Sequence, residues 1–184
     1  MRLRMPFERL SSLGQWILFA VSFVLTVVLS AVLSVLGRPL QQEACPQGIV
    51  SLELAGKTAR VREILEAWGQ EGRALARKHI LLDYLYLVCY SITIALGCAL
   101  VAQKLAPQSG SMATVGGILV WAQFGAAVLD AVENYAMLRV LDSPQGAFWP
   151  AVARGCAAPK FAIVVLGLLY VVLGFLWWLL TPKG

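Results

Sequence analysis

Four long apolar runs are the feature of this 184-residue chain that most restricts its fold. They lie at about residues 13–36, 80–102, 112–138 and 161–180. Crossing the roughly 30 Å hydrocarbon core of a bilayer takes about 20 helical residues, so each run is long enough to do so. The composition agrees, because 59% of the residues are hydrophobic and only 14% are charged. The sequence therefore predicts an all-α, polytopic membrane four-helix bundle that forms one domain over residues 1–184.

The chain between the first two runs, residues 38–79, is the sizeable segment outside the apolar runs. Within it an apolar residue recurs at the helical spacing i, i+3, i+4 and i+7, at Val61, Ile64, Leu65 and Trp68. This pattern predicts an amphipathic helix over about residues 58–68 that lies along the membrane surface. The stretch before it, residues 48–56, is compatible with a short strand or an interfacial turn.

The other connections are read from turn-forming residues. Residues 103–111 are short and turn-rich, which predicts an antiparallel hairpin of spans 2 and 3. Residues 139–160 are polar and punctuated by Pro and Gly, which predicts a loop before span 4. The first run follows three arginines, but it exceeds the roughly 7–15 apolar residues of a signal peptide, so we expect an uncleaved span.

The distribution of positive charge gives two conflicting indications of orientation. The termini and the connection between spans 2 and 3 carry five of the 15 Lys and Arg residues, and the two longer loops carry the other ten. That count favours cytoplasmic loops, whereas a basic N-terminus ahead of the first span favours a cytoplasmic N-terminus. We expect a protein of the bacterial inner membrane with both termini in the cytoplasm.

Two of the predicted spans carry polar residues on one helical face. On span 2 these are His79, Asp83, Tyr86, Tyr90 and Thr93, spaced by three or four residues. On span 3 the corresponding face holds Gln123, Asp130, Glu133 and Asn134. Asp83 and the pair Glu133 and Asn134 lie at similar depths from the long-loop side, so the two faces can meet in one leaflet. A serine and threonine stripe on span 1, at residues 22, 26, 30 and 34, is more typical of close helix packing.

Charged groups in a span usually face the bundle interior or a water-filled cavity, so these faces indicate a polar pocket between spans 2 and 3. The candidate ligand-binding residues are His79, Asp83, Tyr86, Tyr90, Gln123, Asp130, Glu133 and Asn134. Asp130 and Glu133 are the candidate acid and base if the site is catalytic. Candidate counter-charges are Arg77, Lys78, His79 and Arg139. The alternative is a satisfied structural network of Asp83, Glu133, Asn134 and Arg139 that fixes helix packing.

Cysteine and histidine usage restricts other kinds of site. Cys45 and Cys156 lie in loops on the same side of the membrane and are a candidate disulfide, although two unpaired residues fit as well. His79 is the single histidine and no CxxC motif occurs, so neither a metal site nor a cofactor is expected. The isoelectric point near 9.2 favours contact with anionic lipid headgroups, and no nucleic-acid partner is expected.

Three segments carry a resemblance to a known group of proteins: LELAGKTARVREILEAWG, LDYLYLVCYS and LDAVEN. In these the chain resembles small bacterial four-span membrane proteins of no established function. The resemblance implies an amphipathic surface helix between spans 1 and 2 and acidic residues in spans 2 and 3. A more distant architectural similarity is to the sterol-isomerase and sigma-2-receptor type of four-helix bundle, in which acids line a lipid-accessible cavity.

Three functions are consistent with these features. The first is binding or moving a lipid-like or amphipathic small molecule in the polar pocket. The second is a structural or assembly subunit of a larger membrane complex. The third is a membrane-embedded enzyme that uses a carboxylate acid and base on a lipid substrate.

Overall fold

The protein is a bundle of long α-helices. The computed structural model describes residues 5–180. The helices are α1 (Ser12–Gly37), α2 (Ile49–Glu53), α3 (Thr58–Leu105), α4 (Gly110–Asp142) and α5 (Phe148–Leu180). No β-strand occurs in the described residues. The four long helices are each long and apolar enough to cross a membrane, so the predicted all-α membrane bundle is confirmed.

The bundle is organised around α3, which packs against α1, α4 and α5. The most apolar part of α3 is 72% buried in the protein, compared with 28% for α4 and 17% for α1 and α5. A helix that is apolar and yet exposed needs a surrounding apolar medium, because the hydrophobic effect disfavours such a surface in water. The outer faces of α1 and α5 are therefore the natural lipid-facing surface of this bundle.

The segment between α1 and α3 differs from what its sequence pattern predicts. Residues 49–53 form the short helix α2 and not a strand. The predicted helix over 58–68 is the start of α3, with a break at Gly69, where φ of 59° and ψ of −164° suit a residue without a Cβ. Its apolar side chains pack inside the protein and are at most 4% exposed, at Val61, Ile64, Leu65 and Trp68. They are not free to insert into a membrane surface, and the location of this helix relative to the membrane remains a prediction.

The connection before the last span is much shorter than the predicted loop over residues 139–160. It covers residues 143–147 alone, because α5 begins at Phe148 and includes Pro159. The prolines and glycines of this stretch indicated a loop, but the helix continues through Pro150, Gly155 and Pro159. The consequence is that Lys160 lies on a helix inside the bundle instead of in a surface loop.

Two apolar clusters lie at successive levels of the bundle. The cluster toward the long-loop side contains Leu40, Trp68, Ile80 and Met137, and the other contains residues such as Leu96. Buried polar side chains from α2, α3, α4 and α5 lie between these two levels and are called the polar layer below. They include Glu53, Tyr90, Asp130, Glu133 and Lys160. The fold therefore surrounds a polar layer with apolar packing above and below it.

Candidate functional site

The polar faces of α3 and α4 contact each other at two points. Asn134 Nδ2 donates a hydrogen bond of 2.8 Å to Asp83 Oδ2. The Tyr90 hydroxyl donates a hydrogen bond of 2.8 Å to Asp130 Oδ2, deeper along the same interface. The meeting of the two faces that helical spacing predicts is therefore present, and the two helices are joined there directly.

A lysine from the last span provides the positive charge of the polar layer. Lys160 Nζ lies 2.9 Å from Asp130 Oδ1 and 3.0 Å from Glu133 Oε1. The three side chains are 8%, 5% and 0% exposed, so this ion-paired group is enclosed by protein. Charges buried in this way are retained only when they are paired and hydrogen-bonded.

Three of the four counter-charges that the sequence indicated lie elsewhere, whereas His79 borders the same cavity as Asp83. Arg77 forms an ion pair with Asp142 that is nearly half exposed at the surface. The side chains of Lys78 and Arg139 are exposed. Lys160 is the counter-charge instead, and the prediction missed it because the turn-rich residues before it were read as a loop.

Glu53 of α2 adds a fourth carboxyl group to the layer. It is 8% exposed, and it interacts electrostatically with Lys160, Glu133 and Asp130. Burial raises the pKa of the Glu53 carboxyl above its ordinary value, while Lys160 acts in the opposite direction. Its carboxyl forms a side-chain hydrogen bond with the Glu133 carboxyl, which requires a proton on one of the two groups. A glutamate in an otherwise ordinary loop sequence gave no sign of this role.

A cavity of about 590 Å³ opens against this layer. Its walls come from α1, α2, α3 and α5, and α4 contributes Asp130. One end is polar, with Glu53, Asp83, Asp130 and Lys160. The remaining lining is largely apolar and includes Phe23, Leu33, Ile94, Phe161, Val164 and Leu168. Such a shape combines an apolar body with a charged end.

The cavity separates the eight candidate ligand-binding residues into two groups. Five of them line it: His79, Asp83, Tyr86, Tyr90 and Asp130. The other three, Gln123, Glu133 and Asn134, are 0–1% exposed and are not part of its lining. Glu133 and Asn134 hold Lys160 and Asp83 from behind, whereas Gln123 Nε2 donates to the Ile163 carbonyl of α5 at 3.1 Å. Gln123, Glu133 and Asn134 therefore hold neighbouring residues in position and do not line the cavity themselves.

The hydroxyl stripe of α1 takes part in the cavity wall. Thr26, Ser30 and Ser34 line the cavity, and Thr26 Oγ1 lies 3.1 Å from Thr93 Oγ1 of α3. Ser22, the fourth member, is buried and donates to the Phe19 carbonyl in its own helix. The interpretation of this stripe as helix packing therefore describes part of it, and most of its members also border the cavity.

The structure also locates the candidate disulfide cysteines and the two candidate catalytic acids. Cys45 and Cys156 are both free thiols, and Cys45 Sγ donates to the Leu40 carbonyl at 3.4 Å. Among residues 5–180 no group of three or more His, Cys, Asp or Glu side chains is placed to hold a metal ion. Of the two catalytic candidates, Asp130 lines the cavity and Glu133 lies behind it.

The arrangement can bind a charged or hydrogen-bonding head group beside an apolar chain. Comparison of this chain with protein-family models, with curated proteins and with solved structures finds no match. The resemblance to small four-span bacterial membrane proteins therefore remains an expectation from three short segments, and the site is interpreted from its own residues.

Proposed function

We propose that this protein binds a lipid-like or amphipathic small molecule in the cavity, with membrane lipids as the source of the ligand. The observation that carries the proposal is a cavity with a charged end and an apolar body within one bundle. Its volume of about 590 Å³ lies within the range of roughly 300–1,000 Å³ typical of small-molecule sites.

The length of the cavity also suits an amphiphile. On α1 its lining extends from Phe23 to Gly37, which at 1.5 Å per helical residue corresponds to about 20 Å. Phe23, Val164 and Leu168 line the end away from α2, and Glu53 and Asp83 line the other. A molecule with its polar group against these acids can therefore extend an apolar chain toward the bilayer centre.

The direct test is to identify molecules that copurify with the protein. We expect mass spectrometry of the protein purified in a mild detergent to detect an amphiphile at about one equivalent. Ser34→Phe places an aromatic ring in the cavity and should reduce that occupancy. Ala31→Phe is the matched control, because Ala31 is exposed on the same helix and does not line the cavity.

Two results would argue against ligand binding. The first is a purified protein without any stoichiometric amphiphile that also fails to take up added lipids. The second is equal occupancy in Ser34→Phe and Ala31→Phe. Copurification of another protein at fixed stoichiometry would instead favour the structural subunit, and turnover of a bound lipid that Asp130→Asn abolishes would favour the enzyme.

We further propose that the protein resides in a bacterial inner membrane with its N- and C-termini in the cytoplasm. The basic N-terminus ahead of the first span supports this orientation. It places α2 and the polar end of the cavity toward the outer face of that membrane.

A further inference from the structure

The α2 segment, residues 48–56, forms one wall of the cavity at its polar end. Ile49, Val50 and Glu53 belong to the cavity lining. A glycine with positive φ lies at each end of the segment, Gly48 at 58° and Gly56 at 65°. Glycine has more backbone conformations available than other residues, so the chain can bend at both ends of this wall.

Few polar contacts connect the α2 segment to the rest of the bundle. Its backbone hydrogen bonds run to other groups of the same connection. In the described part of the chain, no backbone hydrogen bond joins the segment to a long helix. Apolar packing of Ile49 and Leu52 holds it in place, together with the side-chain hydrogen bond between Glu53 and Glu133.

That hydrogen bond depends on a proton. Two ionised carboxyl groups are both acceptors, so Glu53 and Glu133 can bond to each other only when one of them is protonated. The two residues are 8% and 0% exposed, so water has little access to either carboxyl group. The polar contact that fixes the α2 segment therefore exists in one protonation state of this pair and not in the other.

Charged groups of three long helices face the carboxyl pair. They are Asp83 of α3, Asp130 of α4 and Lys160 of α5. The cavity-lining residues of α1 near this end carry hydroxyl groups, and His79 of α3 lies against Gly37 of α1. Lys160 already contacts Asp130 and Glu133. A second negative charge on the pair would therefore be repelled by the neighbouring acids.

We infer that the proton shared by Glu53 and Glu133 controls closure of the cavity. With the proton bound, the α2 segment stays packed against the bundle. When the proton leaves to water, two adjacent carboxylates remain and repel each other, and the segment moves outward by bending at Gly48 and Gly56. As regulation of ligand access the inference rests on the proposed function, whereas the movement itself does not.

The cavity should open as the pH rises. Burial raises the pKa of the Glu53 carboxyl above its ordinary value near 4.5, although Lys160 acts in the opposite direction. The closed state is therefore fully retained below about pH 4.5, and the open fraction increases as the pH rises through the raised pKa. Opening removes Ile49 and Leu52 from their apolar neighbours, so their burial opposes the movement and limits the open fraction.

Thiol labelling of the full-length protein in a mild detergent measures the opening. Ala55 of the α2 segment is 8% exposed, so Ala55→Cys reports its movement in a background with the four native cysteines replaced. Its rate of reaction with a maleimide is divided by that of Ala59→Cys, an exposed position of α3, to cancel the effect of thiol ionisation. We expect this ratio to rise at least about tenfold between about pH 5 and about pH 9.

Three variants in the same background assign the rise to its cause. Glu53→Gln can donate an N–H bond to Glu133 without a proton, so the ratio should stay low at every pH. Glu66→Gln removes an exposed glutamate of α3 and should leave the rise unchanged. Ala99→Cys, which is fully buried in the other apolar cluster, should stay unlabelled at every pH if the bundle itself remains folded.

Three results would overturn the inference. They are a ratio that does not change with pH, an equal rise in Glu53→Gln, and a parallel rise in the labelling of Ala99→Cys, which would indicate unfolding of the bundle. A rise that is confined to Ala55→Cys and absent in Glu53→Gln would support it.

Exchange of a ligand tests the link to the proposed function. Dodecanol is the probe, because its head group is uncharged throughout the pH range. Its release from the protein in phosphatidylcholine nanodiscs into an excess of empty nanodiscs should be faster at alkaline pH, and Glu53→Gln should remove the difference. Release at the same rate at every pH would overturn the control of ligand access. Absence of saturable dodecanol binding at any pH would count against the proposed function and leave the movement in place.

Discussion

Lys160 determines the charge balance of the polar layer. Its ammonium group lies between Asp130 and Glu133, with all three side chains at most 8% exposed. Removing one partner of such a group leaves a buried charge without compensation, whereas replacing the whole group with neutral residues can restore stability. The cost of a substitution at this position therefore depends on what happens to its two acids.

We predict that Lys160→Met lowers the free energy of unfolding by about 3–5 kcal/mol. The triple variant Lys160→Met, Asp130→Asn, Glu133→Gln should recover most of that loss, because it leaves no unpaired charge. Unfolding in mild detergent, followed by circular dichroism during titration with a denaturing detergent, measures both. Arg77→Met is the control, since its ion pair with Asp142 is nearly half exposed and should contribute about 1 kcal/mol or less.

A Lys160→Met variant as stable as the Arg77→Met control would contradict the buried ion-paired group. A triple variant no more stable than Lys160→Met alone would contradict the charge-based explanation and indicate that the lysine acts through packing.

Glu53 makes the stability depend on pH. Burial raises the pKa of its carboxyl above the ordinary value near 4.5, and Asp130 adds to that effect, while Lys160 and the Glu133 side chain oppose it. Because the folded protein holds this proton more tightly than the unfolded chain, the contribution to stability is fully present below about pH 4.5. It is lost as the pH rises through the raised pKa of the folded state.

We therefore predict that the wild-type protein loses stability relative to Glu53→Gln as the pH rises above 4.5. The measurement is the unfolding free energy of both proteins at a series of pH values, and their difference isolates Glu53 from the other acids. Glu66→Gln, which removes an exposed carboxyl, should follow the wild type. A constant difference between wild type and Glu53→Gln would contradict the raised pKa.

At the scale of elements, the long helices were predictable and their ends were not. The apolar runs located four spans, and three- and four-residue spacing placed Asp83 and Asn134 on faces that meet. The sequence predicted that the last span begins at residue 161, whereas α5 begins at Phe148. Pro and Gly usually indicate loops, but here tertiary packing keeps this stretch helical. Glu53 was missed for a related reason, since no local pattern shows which loop residue folds back into the bundle.

Close packing of the long helices depends on two glycines, one in α4 and one in α5. A Cβ at Gly116 would lie 2.7 Å from the Ala102 Cβ of α3, and a Cβ at Gly167 would lie 2.8 Å from the Ile94 Cγ2. Both distances are shorter than real Cβ contacts, so a neighbour would have to move. Gly125, on the exposed side of α4, has no heavy atom within 4 Å of its Cβ position.

We predict that Gly116→Ala lowers the free energy of unfolding by about 1–3 kcal/mol through overpacking. Gly125→Ala should be neutral or stabilising by up to about 1 kcal/mol, since alanine favours a helix more than glycine does. The same detergent unfolding assay compares the two. If Gly116→Ala were as stable as Gly125→Ala, α3 and α4 would be farther apart than the structure has them.

At the scale of the whole molecule, the cavity lies at one end of the bundle. Its polar lining includes Gln41 and Gln47, which precede α2 in the connection between spans 1 and 2. The opposite end carries residues 5–11 and the connection between α3 and α4. The orientation of the protein therefore determines from which leaflet a ligand enters. The sequence gave conflicting indications of that orientation, because most of the Lys and Arg residues fall in the two predicted loops while the N-terminus is also basic.

We predict that the cavity end faces away from the cytoplasm, because a basic N-terminus usually fixes the first span. In a background with the four native cysteines replaced, Gln47→Cys should react with a membrane-impermeant maleimide on intact cells, since Gln47 is exposed at the cavity. Pro107→Cys, exposed at the other end between α3 and α4, should react only after the cells are opened. The reverse pattern would place the cavity on the cytoplasmic side, and a bound amphiphile should slow labelling of Gln47→Cys in either orientation.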